Sequence, residues 1–140
     1  MSDAMGRTVY VREGFPAQYV VGHLTDAHVG SDRHPRPAAD ILRDAIKAMN
    51  EAAPDFVLIT GDLTENGNME QFQAFLEALD TSAAPTFFCA GNHDRQSTHY
   101  ERFFGPQVYH FRFGADGYLA FDTQDYITAD EMGSQDAEPQ

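Results

Sequence analysis

The chain has 140 residues, a length that suits one domain and a modest core, and its 42% apolar content with 11 Phe and 6 Tyr excludes a disordered chain. A formal net charge of −13 disfavours nucleic acid and anionic membrane as general partners and is compatible with carboxylates gathered around cations. A single cysteine, Cys89, excludes an intrachain disulfide; with no basic-then-apolar leader and no apolar run near the ~20 residues that span a bilayer, a cytoplasmic location is expected.

Residues 8–12 (TVYVR) and 18–25 (QYVVGHLT) read as strands joined by the turn EGFPA. Pro37 suits the opening of a helix, and Ile41, Leu42, Ala45, Ile46 and Met49 recur at helical spacing, so 38–52 is an amphipathic helix that Pro54 stops. FVLIT, 56–60, is a continuous apolar run, as in a strand buried on both faces. Asn68 with Gln71 has the form of a capping box ahead of a second helix whose stripe is Met69, Phe72, Leu76 and Leu79. PTFFCA, 85–90, is a third core strand, a short helix near 97–104 stops at Gly105-Pro106, and strands at about 108–113 and 118–122 flank the turn GADG. Strand, helix, strand, helix, strand predicts an α/β fold: a sheet built of βαβ units with flanking helices. Ligands of such sheets bind beyond the carboxyl ends of the strands.

Each core strand is followed there by metal-competent side chains. TDAHVG carries Asp26 and His28; TGDLTE carries Gly61 and Asp62; AGNHDR carries Asn92, His93 and Asp94. In an extended backbone Asp26 and His28 point to one side, and a carboxylate with an imidazole makes half of a borderline-metal site. Asp62 has one oxygen for each of two ions, Asn92 a neutral carbonyl oxygen, and Asp94 is placed to accept the second N–H of His93 and fix its tautomer. Gly61 and Gly91 let backbone crowd close to an ion.

DAH, GDLTE and GNHD resemble the first three signature blocks of the calcineurin-like metallophosphoesterases, and HLTDAHVG and DFVLITGDLTENG look most like the branch that includes class III cyclic-nucleotide phosphodiesterases. The resemblance spans about residues 19–125 and implies the first half of an α/β/β/α sandwich with a two-metal site. By that likeness Asp26 and His28 ligate the first metal, Asp62 bridges both, and Asn92 ligates the second. His93 acts at the scissile phosphate with Asp94 orienting it, and a metal-bridging hydroxide attacks the phosphate ester. Manganese, iron or zinc suits such N/O ligands.

The family pattern continues with a lone histidine and a Gly-His-x-His block that this sequence lacks; His99 reads as a surface residue and His110 as a half-buried strand residue. The first metal keeps three ligands and the second only Asp62 and Asn92, short of the usual three or four. The expectation is an incomplete amino-terminal half, residues 1–127, with 128–140 an acidic tail that is disordered or begins the missing half. A half-sandwich exposes a sheet face, which predicts self-association or a partner chain. Cys89 reads as an inert core thiol, His23 as strand-packed, His34 as solvated before a residue at the site mouth, Glu65 as solvated before a support behind the metal ligands, and Arg95 as a surface ion-pair residue or a phosphate contact. The leading reading is a metal-dependent phosphoesterase acting on a phosphate ester, a diester before a monoester. The alternative is a non-catalytic metal-binding or interaction module on the same scaffold. A flavodoxin-like nucleotide domain is disfavoured because DAHVG stands where a Gly-rich phosphate loop belongs.

Overall fold

The structure, a computed structural model, describes residues 13–95 and 98–121. The strand expected at 8–12 and the tail from 128 lie outside the described residues. Three parallel strands, β1 (Val21–Thr25), β2 (Phe56–Thr60) and β3 (Thr86–Phe88), form a sheet in the order β1-β2-β3. Crossovers through α1 (Ala38–Glu51) and α2 (Met69–Leu79) connect them. The protein is thus α/β, with helices flanking a parallel sheet. No helix among the described residues is long and apolar enough to cross a membrane.

Pleat parity divides β2 between two cores. Val57 and Ile59 point to the helices and are buried with Leu42 and Ile46 of α1 and Phe72, Phe75, Ala78 and Leu79 of α2. The stripe of α2 therefore runs through Phe75 and Ala78, while Met69, expected on it, is exposed. Gly22 lets α1 lie close: a Cβ there would stand 2.3 Å from Met49 Sδ. Ala53, at φ 47°, turns the chain out of α1 just before Pro54. Asn68 caps α2 by accepting from the Gln71 N–H (2.9 Å), but Gln71 Oε1 reaches past Asn68 to the Asn66 N–H (2.8 Å), so only half of the expected box forms.

On the other face, Phe56 and Phe87 meet a hairpin of β4 (Tyr109–Phe113) and β5 (Asp116–Ala120). Phe111 stacks on Phe87 at 3.9 Å and on Tyr118 at 4.8 Å, and Phe113 lies 5.2 Å from Phe56. The Tyr109 hydroxyl donates to Phe88 O (2.7 Å) and accepts from Phe88 N (3.0 Å), fastening the hairpin to the outer strand β3. The turn is shorter than GADG: Phe113 pairs with Asp116 across Gly114-Ala115, and Gly114 supplies the positive φ of 60° that a two-residue hairpin needs. Part of the sheet face expected to lie bare is thus covered. Nearer the carboxyl ends that face is polar and exposed, with His23 Nε2 2.8 Å from Thr60 Oγ1.

Two one-turn helices follow β3. One, α3 (Asn92–Arg95), is formed by the Asn-His-Asp-Arg run itself; the other, α4 (Tyr100–Phe104), seats Tyr100, Phe103 and Phe104 against Phe72.

Candidate metal centre

The loops leaving β1 and β2 keep pairing after the strands end. Asp26 N–H donates to Thr60 O (3.1 Å), His28 N–H to Asp62 O (3.0 Å) and Val29 N–H to Leu63 O (3.0 Å), and Glu65 N–H returns to Val29 O (3.0 Å). Asp26 and His28 are not extended, as their spacing suggested: both take left-handed backbone, at φ 54° and 44°. Non-glycine residues in this region carry strain of order 1–3 kcal/mol and cluster at functional sites.

Asp94 sits beneath the loops, fully buried. Its carboxylate accepts from Leu63 N (2.8 Å), Thr64 N (2.9 Å), Thr64 Oγ1 (2.8 Å) and Gly91 N (3.1 Å). Burial pushes its pKa up against the pull of these donors. The expected contact from Asp94 to the His93 ring is not the one formed; the carboxylate instead clamps the loop after β2 to the start of α3. His93 Nδ1 lies 2.5 Å from Glu65 O. A carbonyl only accepts, so Nδ1 carries the proton and the lone pair of the neutral ring is on Nε2.

His28 is held in the same way. Its Nδ1 is 2.8 Å from Glu65 Oε2, and the other Glu65 oxygen accepts from Arg33 Nη2 at 2.9 Å. Glu65, read from sequence as solvated, is half-buried and bonded on both oxygens. A supporting role stands second to the solvated one in sequence because its partners lie on another loop; a carboxylate three residues beyond Asp62 is the available signal. Burial opposes its charge, but Arg33, His28 and His93 outweigh that and hold its carboxyl below the usual glutamate value.

Both Nε2 atoms face one oxygen: His28 Nε2 is 3.6 Å and His93 Nε2 3.8 Å from Asp62 Oδ2. The two rings meet edge to face, 5.1 Å apart. One donor atom each from His28, Asp62 and His93 lies within 4.8 Å of the others. Asp62 is oriented by its second oxygen, which accepts the His93 N–H at 2.9 Å. Donors about 2.1 Å from one ion stand roughly 3–4 Å apart, and the two imidazole–carboxylate separations lie in the range that a borderline divalent cation requires. His93, expected beside the ion, belongs to this tight set.

The glycines explain how the loops approach. A Cβ on Gly91 would lie 2.0 Å from Asp62 Oδ1 and 2.5 Å from Asp62 N. One on Gly61 would stand 3.1–3.2 Å from the Asp26 carboxylate, which places Asp26 beside the backbone of that glycine, one residue from Asp62. The Asp26 carboxylate also accepts from Thr25 Oγ1. Asn92 and His93 line a cleft of about 630 Å³ with Glu65, Asn66, Gly67, Asn68, Thr98 and His99. His99, expected at the surface, is half-buried on this cleft's wall, whereas His110 is exposed. His34 is exposed as expected. Cys89 is half-buried with its thiol pKa pushed up by burial.

Comparison with known proteins identifies the family. The model of the calcineurin-like phosphoesterases matches residues 19–135. A probable cyclic nucleotide phosphodiesterase of a Pseudoalteromonas species is 30% identical over 84 residues, covering 56% of this chain and 32% of the relative. A protein of the same description from Fibrobacter succinogenes is 26% identical over 77 residues, 53% of this chain and 30% of the relative. Phosphodiesterase YaeI of Escherichia coli is 42% identical over 57 residues, 39% of this chain and 21% of the relative. The chain therefore spans no more than about a third of the length of these relatives. With its matched region extending over most of its length, the chain belongs to the calcineurin-like phosphoesterase family.

Proposed function

We propose that the chain carries the metal-binding core of a phosphodiesterase. The observation that supports this most directly is the convergence of His28, Asp62 and His93, from three separate loops, to within 4.8 Å. In this reading Asp26, His28 and Asp62 hold one divalent ion, and Asp62 with Asn92 begins the site of a second. Bound divalent cations supply Lewis acidity toward the phosphoryl oxygens and a nucleophile at neutral pH. The chain's own residues do the remainder. Asp62, fixed by the His93 amide, keeps Oδ2 facing the two imidazoles, where it would be a ligand to a bound ion. His93, anchored through Nδ1, turns Nε2 toward the centre, where its protonated form stabilises phosphate charge or protonates the leaving alcohol. In the metal-free chain the Glu65 carbonyl pushes the His93 pKa up, with Asp62 and Glu65 charge adding to that against burial and Arg33. Asn92 offers amide donors at the mouth of the cleft.

The second ion has two ligands from this chain in this reading, and its remaining ones come from further polypeptide or a partner chain. Manganese titration by calorimetry, paired with hydrolysis of bis(p-nitrophenyl) phosphate, tests the proposal. One weak site and turnover abolished by Asp62→Asn support it. Metal binding without turnover favours either the non-catalytic module or a fragment that lacks the second ion's remaining ligands. Absence of any binding removes the metal centre.

A further inference from the structure

We propose that Glu65 is the positioning residue for both histidines of the centre, its side chain setting His28 and its main chain setting His93. The inference rests on the metal-centre reading above but concerns a residue to which that reading gives no ligand role.

Four contacts carry it. Glu65 Oε2 takes His28 Nδ1 at 2.8 Å, and Glu65 O takes His93 Nδ1 at 2.5 Å. Glu65 N–H donates to Val29 O, fixing the residue's own backbone to the first loop. Oε1 accepts from Arg33, also on that loop. One residue on the loop after β2 thus grips the loop after β1 at three points and the start of α3 at a fourth. Each ring is held by the nitrogen remote from Asp62. Both acceptors keep a proton on Nδ1 and leave the Nε2 lone pairs aimed at one carboxylate oxygen, 3.6 and 3.8 Å away. A partner that locks tautomer and ring direction typically changes metal affinity 10–100-fold when removed. Arg33 is mostly exposed, so its ion pair steadies Glu65 without being required.

The two arms differ, and that makes the inference testable. Substitution of the side chain removes the hold on His28 and leaves the carbonyl hold on His93. In nitrogen-15 NMR of the metal-free chain, Glu65→Ala is expected to move the His28 ring nitrogens from a single Nδ1–H tautomer to a mixture, with His93 unchanged. Manganese affinity is expected to fall about 10–100-fold. Glu65→Gln keeps an acceptor oxygen and is expected to retain the His28 tautomer and most of the affinity, so it decides the matter if the alanine variant unfolds. A His28 spectrum and an affinity in Glu65→Ala that equal those of the unsubstituted chain overturn the proposal. Equal disturbance of His28 and His93 also overturns it, because general loosening moves both. If the unsubstituted chain binds no manganese, the metal-centre reading falls, and the tautomer measurement still decides the role of Glu65.

Discussion

At the scale of single residues, the contrast between Asp94 and Asp62 is one of surroundings. Both are buried carboxylates, yet all the partners of Asp94 described above are donors from its own scaffold, whereas Asp62 leaves Oδ2 facing two imidazoles. Asp94→Ala orphans the Leu63, Thr64 and Gly91 N–H groups. At about 1–3 kcal/mol for each buried unsatisfied donor, a loss of roughly 3 kcal/mol or more in unfolding free energy is expected from urea denaturation. A variant with an unchanged unfolding curve and lost turnover would return Asp94 to the chemistry. Gly91→Ala acts differently. Its Cβ collides with Asp62 Oδ1 and with backbone, which cannot rotate away. It is expected to lower manganese affinity about tenfold or more in calorimetry, by displacing the oriented carboxylate.

At the scale of elements, β2 shows what sequence patterning conveys and what it hides. The run FVLIT is legible as a strand buried on both faces because every position is apolar or small enough to pack. Patterning could not tell what covers each face. The Phe56 side is closed by β4 and β5, whose aromatic rings come from more than fifty residues along the chain. Phe111→Ala removes the ring stacked on Phe87, and an aromatic truncation of this kind is expected to cost about 3 kcal/mol, read as a lowered thermal midpoint. A cost below about 1 kcal/mol would mean that the hairpin does not hold the sheet. Metal-competent loops were legible for a different reason: unusual residue types follow each strand at the edge where α/β sheets bind ligands. The left-handed backbone at Asp26 and His28 had only a weak signal: Asp and His enter that region several-fold more often than most residues, yet the great majority of them do not adopt it. The helix α3 had none, because its single turn is too short to show a period. For Glu65 the solvated reading outranks the supporting one because a solvated and a bonded carboxylate look alike until the neighbouring loop is in place.

At the scale of the molecule, the centre joins segments that are distant in the chain. His28, Asp62 and His93 stand on loops separated by two full crossovers, through α1 and through α2. The protein also carries a formal charge of −13, so a cation between these loops relieves repulsion as it cross-links them. A ligand that binds the folded state alone stabilises it by about 2.7 kcal/mol at a hundred times its dissociation constant. Manganese at that excess is therefore expected to raise the unfolding free energy by about this amount, with urea midpoints as the readout. Asp62→Asn is expected to remove most of the gain, because it removes the charge of the carboxylate whose Oδ2 both imidazoles face. Asp44→Asn, on an exposed pair with Arg36 at the far end of α1's first turns, lowers the negative charge equally and is expected to leave the gain intact. Equal loss in both variants would mean that the ion acts through net charge, and the three loops would then not form a binding centre.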